Sequence, residues 1–376
     1  MCDGAVRSGK TVCLTVGFFL WSMSSFQNQS FGLCGKTIGS LRRNITDHLP
    51  RWLGNLFTFY PVKSENKLVV SDKMGHRNTY YLFGGQDESA AALIQGITLA
   101  GVLLDEAALL NRSFLEQACA RCSVSGAKLW FSCNPEGTEH WFYKDWVCKA
   151  AQKRLLRLHF TMADNPGLEK GVRQRYERLY EGVFYRRFVL GQWCRAEGLV
   201  YDFDPKRHVT KDLPAAGRFF ISVDYGTRNP FSAGLWCVDG ERAVRIKEFY
   251  HSGRETGKML TDADYSRALK QLGAGYPVEK VIVDPSAASF IAQLRHDGVF
   301  TVRKAKNGVL PGIQLVARYL KEGRLLMGAG CSNAIREFSQ YRWQENEEKD
   351  LPWKENDHAM DDVRYFCATV LARMWG

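Results

Sequence analysis

The sequence predicts two α/β domains in tandem, the first built on a mainly parallel sheet. Three observations lead there. Apolar strand-like runs alternate with helical stretches through the first half of the chain. The pattern then weakens into Gly, Pro and mixed charge over residues 191–216. Three consecutive strand-like segments follow, and they open a second alternating series. At 376 residues the chain is also too long for one ordinary domain. The expected division is residues 1–195, a linker over 196–216, and a second domain over 217–376.

In chain order, residues 68–70 and 79–83 are expected to form a hairpin about a polar turn containing Gly75. The continuous apolar run 101–104 reads as a buried strand, and 128–132 as a second. Residues 169–188 read as one long charged helix. Past the linker, strands are expected at 219–224, 231–238 and 243–250. Short turns at 226–230 and 239–240 join them. Helices at 262–272, 287–297 and 312–322 then alternate with strands at 281–284 and 301–303. A last helix begins near Glu355.

Hydrophobic residues make up 45% and charged residues 24%, which excludes a disordered chain. A formal net charge of +11 favours a polyanionic partner, the plain alternative being an ordinary basic protein. Eleven cysteines, an odd number without framework spacing, read as reduced thiols of a cytosol. Arg7 and Lys10 ahead of the apolar residues 12–21 imitate a signal peptide, but no small-residue cleavage site follows. That run is also too short to span a bilayer. Cys119 and Cys122, with Cys133 and His140 downstream, fit no common zinc spacing and read as neighbours on a buried helix face.

Gly4-Ala5-Val6-Arg7-Ser8-Gly9-Lys10-Thr11 is a complete G-x-x-x-x-G-K-T motif. Its glycines let backbone N–H groups wrap the phosphates of ATP, Lys10 neutralises phosphate charge, and the Thr11 hydroxyl suits Mg²⁺. Gly4, Ser8, Gly9, Lys10 and Thr11 are therefore candidate nucleotide-binding residues. The apolar run behind them becomes the helix whose N-terminus faces the phosphates. About a hundred residues on, an apolar strand ends in Asp105-Glu106. Asp105 would hold Mg²⁺ through water and Glu106 would orient the attacking water; the alternative is a simple helix cap. A third strand ends in Ser132-Cys133-Asn134-Pro135, read either as a polar triplet beside the nucleotide or as an Asn-Pro turn.

The second domain carries acidic residues inside or at the ends of apolar strands, at Asp224 and Asp284. A further cluster, Asp357-His358-Ala359-Met360-Asp361-Asp362, opens the last helix. A buried carboxylate costs several kcal/mol unless it is paired or binds a metal. Two strands and a helix that each deliver an Asp could collect divalent cations, two Mg²⁺ or Mn²⁺, as two-metal phosphodiester hydrolysis requires. His358 and Asp361 share a helix face. The candidate metal set is thus Asp224, Asp284, His358 and Asp361. Asp357 reads as a cap and Asp362 as solvated. Arg303, Lys304 and Lys306 are candidate backbone contacts, or a solvated basic face.

In this order the motifs resemble the phage terminase large-subunit family, through nearly the whole chain. The phosphate loop carries an Arg, Asp105-Glu106 is similar to the second ATPase motif, and Ser132-Cys133-Asn134 resembles the coupling motif that links hydrolysis to DNA movement. Gly191-Gln192-Trp193 through Glu197-Gly198 resembles the inter-domain segment. The resemblance implies an ASCE-type P-loop NTPase domain followed by an RNase H-like nuclease domain. By it Arg7 is a sensor near the γ-phosphate, or else a solvated loop cation, and Asp224, Asp284 and Asp361 are the nuclease residues. It implies double-stranded DNA as substrate, with a small terminase subunit, a portal protein and a homo-oligomeric ring as partners. The implied location is the host bacterial cytoplasm and, transiently, the procapsid portal vertex. The competing readings are a helicase-like ATPase without nuclease, which needs no carboxylates after residue 216, and an inactive prophage remnant. Only Met1, Cys2 and Asp3 precede Gly4, too few for a usual strand, so the first domain is expected to lack the strand ahead of its phosphate loop.

Overall fold

A computed structural model describes residues 1–227, 229–345 and 350–375. The chain divides into two compact units, Met1–Glu177 with Gly182–Arg195, and Arg178–Glu181 with Ala196–Gly376.

The first unit is built on eight strands: β1 (Cys2–Gly4), β2 (Ser30–Gly35), β3 (Phe57–Val62), β4 (Lys67–Asp72), β5 (Arg77–Gly84), β6 (Gly101–Leu104), β7 (Lys128–Cys133) and β8 (Leu158–Phe160). Their order in the sheet is β3-β4-β5-β2-β6-β7-β1-β8. Every pairing from β5 to β8 is parallel, and β3, β4 and β5 form an antiparallel meander at one edge. The residues of β6 explain its central place. Leu103 joins the core on one face with Phe18, Phe31 and Tyr80, while Val102 and Leu104 join the core on the other with Phe114 and Phe131. A strand covered on both faces has no polar side to offer, hence the continuous apolar run. With β7 lying between β1 and β6, the order is that of an ASCE-type P-loop NTPase.

Cys2–Gly4 does form a strand, contrary to the expectation that this domain lacks one. Three residues suffice because β7 and β8 pair with it on both sides. The long helix expected over 169–188 is interrupted after Lys170–Leu179, and Gly182 at φ 53° redirects the chain before Gly182–Phe184 and Tyr185–Val189. Behind Asp105-Glu106 stands one 3₁₀ turn, Ala107–Leu109. The helix proper, Arg112–Ala120, starts at Asn111, whose side chain accepts from the Ser113 N–H.

The second unit holds β9 (Val209–Thr210), β10 (Arg218–Asp224), β11 (Phe231–Asp239), β12 (Arg242–His251), β13 (Val278–Val283), β14 (Val302–Lys304) and β15 (Leu325–Gly328), in the order β14-β13-β10-β11-β12-β15-β9. An antiparallel meander, β10 to β12, is extended in parallel by β13 and β14 beyond β10, the arrangement of an RNase H-like fold. Of the turn expected between β10 and β11, Arg228 lies outside the described residues. Phe219, Ile221 and Val223 of β10 enter a core with Tyr265 and Phe290. Alternation therefore turns Phe220, Ser222 and Asp224 to the opposite face. The last helix covers that face. It runs from His358 to Phe366 and continues through Cys367–Leu371 and Ala372–Met374. Phe366 stacks on Trp236 at 4.3 Å. Among the described residues no helix is long and apolar enough to cross a membrane.

Candidate functional site

The first unit gathers its motif residues at the C-terminal ends of β1, β6 and β7. Gly4 holds φ 139°, and a Cβ there would stand 1.9 Å from the Phe160 carbonyl oxygen, so only glycine fits. The loop behind it is fixed from three sides. Ala5 N–H donates to Phe160 O at 2.8 Å and Val6 N–H to Phe188 O at 2.9 Å. The Asn165 side chain donates to Arg7 O at 2.7 Å. The Ser8 hydroxyl is buried and has no hydrogen-bond partner among the described residues, an orphan group that a phosphate oxygen would satisfy.

Lys10 joins the motifs to one another. Its Nζ donates to Ala5 O at 2.9 Å and to Asn134 Oδ1 at 2.6 Å, so the third motif touches the phosphate loop directly. Burial lowers the Lys10 pKa, opposed by Cys133, Asp105, Asp3 and Glu106. Asp105 is buried and accepts from Ser132 Oγ at 2.5 Å, from Thr11 Oγ1 at 3.4 Å and from Asn44 Nδ2 at 3.2 Å. Ser132 Oγ also receives the Glu106 N–H at 3.4 Å. Glu106 itself takes the left-handed conformation at φ 53°. Burial, then the Asp105 charge, raises its pKa against the pull of Lys36 and Lys10, the direction a general base needs.

Lys10, Thr11, Asp105, Glu106, Ser132 and Asn134 line a cavity of about 380 Å³. Arg7 lines it too, with its Nε donating to Tyr176 Oη at 3.0 Å. The triplet expected to act together divides: Ser132 serves Asp105, Asn134 serves Lys10, and Cys133 is buried in the core. Sequence reasoning missed Arg43, Asn44, His48 and Trp52, which form another wall of the cavity. His48 and Trp52 stack at 5.4 Å. Their four-residue spacing on a turn-rich segment was the available signal. The donor set, with its orphan hydroxyl and buried lysine facing two carboxylates, fits a nucleotide phosphate with Mg²⁺.

The second site lies under the start of the last helix. Asp224 ends β10 and shares a hydrogen bond between its Oδ2 and His358 Nδ1 at 2.9 Å. Burial raises the Asp224 pKa to about 7; the His358 hydrogen bond lowers it, while the charges of Asp361 and Asp362 raise it. Burial opposes protonation of His358, but the Asp224 bond carries its pKa upward. Asp284 follows β13 and accepts Tyr365 Oη at 2.7 Å and Ser286 N–H at 2.8 Å. Asp361 accepts Arg364 Nη2 at 2.7 Å. Tyr365 was not singled out from the sequence. Burial, then Asp224, Asp361 and Asp284, raise its pKa, and its hydroxyl donates to Asp284. It lies four residues beyond Asp361, on one helix face, which was the missed signal.

Among the described residues, no three His, Cys, Asp or Glu side chains close on one point as a metal cluster. Like charges repel, and each carboxylate turns to its own donor, His358, Tyr365 or Arg364. Three carboxylates at one end of a sheet still offer the hard oxygen ligands that Mg²⁺ or Mn²⁺ requires.

Two neighbours depart from expectation. Asp362 is not solvated; it is fully buried and accepts from Arg245, Ser222 and Ser232. Asp357 occupies the cap position without making a side-chain cap bond. The cap comes from Glu337, whose Oε2 accepts the Ala359 N–H at 2.6 Å and whose Oε1 accepts Tyr250 Oη at 2.7 Å.

The family model described as "Terminase large subunit, T4likevirus-type, N-terminal" matches residues 1–205. The chain belongs to the terminase large-subunit family. The large terminase of a thermophilic bacteriophage is 46% identical, with a TM-score of 0.85, covering 98% of this chain and 93% of that one. Another structure of the same thermophilic-phage terminase, in complex with ADP, gives 44% identity and a TM-score of 0.82 over 100% of this chain and 94% of that one. The large terminase subunit of Escherichia phage T5 is 26% identical over 288 residues, 70% of this chain. The match spans 64% of the T5 subunit's length. The terminase fold is thus shared across both units of this chain with the thermophilic-phage protein.

Proposed function

We propose that this terminase is the motor and nuclease of a DNA-packaging machine. ATP hydrolysis in the first unit would drive viral double-stranded DNA into a procapsid, and the second unit would cut concatemeric DNA to start and end packaging. The observation that carries the reading is the chain of contacts from Lys10 through Asn134 and from Asp105 through Ser132 to Glu106. It binds the phosphate loop, the acidic strand end and the coupling triplet into one unit. Support comes also from the thermophilic-phage relative, described with ADP and with ATP-gamma-S.

Gly4, Ser8 and Gly9 would wrap the phosphates with backbone and hydroxyl donors, Lys10 would neutralise them, and Thr11 with Asp105 would hold Mg²⁺. Glu106, its pKa raised by burial, would take a proton from the attacking water. Arg7 would stabilise charge that develops on the γ-phosphate. A change at the γ-phosphate would reach Asn134 through Lys10, and Ser132, Cys133 and Asn134 would pass it along β7. In the second unit Asp224, Asp284, Asp361 and His358 would hold two Mg²⁺ or Mn²⁺. When bound, the metals supply charge neutralisation and an activated water. Partners of the proposed machine are a small terminase subunit, a portal protein and further copies of this chain in a ring, in the host bacterial cytoplasm and at the portal vertex.

The test uses the whole chain. ATP turnover and plasmid cleavage are measured with Mg²⁺ or Mn²⁺ and with a chelator, on wild type, Lys10→Ala and Asp224→Ala. Lys10→Ala should lose ATP turnover and keep cleavage; Asp224→Ala should do the reverse, and the chelator should stop both. Cleavage that survives in Asp224→Ala would remove the nuclease assignment, and ATP turnover that survives in Lys10→Ala would remove the motor.

A further inference from the structure

At the other end of β10 from Asp224, the second unit has a cleft of about 420 Å³ that the proposed chemistry does not use. Arg218 and Phe220 of β10, Lys280 of β13 and Arg303 of β14 line it, closed over by Arg373 and Met374 at the end of the last helix. Arg218 is committed to Glu279 through two hydrogen bonds of 2.7 Å. The side chains of Lys280, Arg303 and Arg373 make no ion pair or hydrogen bond among the described residues, although the Lys280 charge is felt by Glu279. Three cations without a hydrogen-bonded partner, beside the Arg218–Glu279 pair and around partly apolar walls, leave the cleft positive.

Its position decides what it takes. β14 is the edge strand of the sheet. From Arg303 it runs on to Ala305, bonded to Val283 O at 2.8 Å, and to Lys306, whose N–H donates to Thr369 Oγ1 at 2.9 Å. Asp284 directly follows Val283, so the edge leads from the cleft to the carboxylate end. From Phe220 to Asp224 the strand rises about 13 Å, at ~3.3 Å per residue. That is the axial length of about four phosphates on one strand of a duplex, at ~3.4 Å each.

We propose that this cleft clamps backbone phosphates of duplex DNA, several base pairs from the phosphate to be cut. The proposal rests on the nuclease reading of Asp224, because that reading fixes where the duplex lies. The cleft holds the duplex in register along the β14 edge without reading its bases, since its lining offers cations and not a groove-inserting element.

The experiment measures binding of the whole chain to a labelled duplex, in chelator so that nothing is cut, across about 50–200 mM salt. Wild type is compared with Lys280→Gln/Arg303→Gln and with the charge-retaining Lys280→Arg/Arg303→Lys. The neutral pair should flatten the slope of log affinity against log salt by about 2, and weaken binding roughly 60-fold at 0.1 M salt. The charge-retaining pair should keep the wild-type slope. An unchanged slope and affinity in the neutral pair would overturn the clamp. Equal weakening by the charge-retaining pair would also overturn it, since charge would then not be the cause. Asp224→Asn in the same assay should bind with the wild-type slope and, given Mg²⁺, cut nothing. Cutting by Asp224→Asn would fail the nuclease reading, an outcome separate from the salt slope.

Discussion

Replacing Asp362 by Ala should cost the second unit about 3 kcal/mol, because it strands a buried guanidinium. Asp362 and Arg245 are both fully buried, with Arg245 Nη2 at 3.0 Å from Oδ2 and Nη1 on Oδ1. Ser222 and Ser232 donate to the same carboxylate. Removing one partner of a buried ion pair costs roughly 3–5 kcal/mol. Here the lower end applies, since Glu248 stays 3.6 Å from Arg245 and can take up part of the charge. Ser222 also keeps the Trp236 Nε1 bond at 2.7 Å. At ~2–4 °C per kcal/mol for a unit of this size, the unfolding midpoint should fall by about 6–12 °C. Calorimetry of the whole chain, without nucleotide or metal, reads this directly as the transition of the second unit. Asp362→Leu combined with Arg245→Met removes both charges and should recover most of the loss. A midpoint lowered by less than about 2 °C, or a double variant less stable than Asp362→Ala, would refute the account of this pair as buried and mutually dependent.

Two further outcomes are expected. Gly191 sits at φ 70°, and a Cβ there would stand 2.7 Å from Ala5 N, so Gly191→Ala should push on the phosphate loop. We expect kcat/KM for ATP to fall roughly tenfold or more, at ~1.4 kcal/mol per tenfold, and wild-type ATP kinetics in that variant would exclude a link between this segment and the loop. Asp3 supplies a pH dependence. Burial opposes its ionisation, but bonds from Arg157 at 2.9 and 2.7 Å and from Trp193 at 2.8 Å hold its pKa below the usual value. A depressed folded pKa gives stability that is present above the unfolded value, about 3.9, and lost as pH falls through the folded one. Asp3→Asn should therefore unfold below wild type at neutral pH, and the gap between the two midpoints should narrow below about pH 4; a gap constant with pH would refute it.

What the sequence made legible and what it hid divide along one physical line. The strands β6, β10, β11 and β13 are apolar runs whose identity follows from burial on two faces, and the residues at the ends of β6, β10 and β13 were readable as candidate sites. The strands β1, β2 and β8 were not, because their existence depends on neighbours. Cys2–Gly4 is a strand only because β7 and β8 bond to it on both sides, a fact of sheet order that local pattern does not contain. The same holds within the site. Asp361 and Asp362 are adjacent; the three-residue spacing from His358 singles out Asp361, but nothing in the sequence pairs Asp362 with Arg245, a residue 117 positions away. Helix rotation decides it: with His358 over Asp224, a step of four residues brings Asp362 over Ser222, the next inward residue of β10. Ser222 and Ser232 are small polar residues inside apolar strands, and Arg245 is a fully buried cation in β12. Each is ordinary alone, yet together they require a buried anion between β10, β11 and β12. Asp362 fills that requirement, and in doing so it fixes the rotation that delivers His358 and Asp361 to the carboxylate end of the sheet. The structural pair is therefore what aims the candidate nuclease residues, and sequence reading found the aimed groups without the one that aims them.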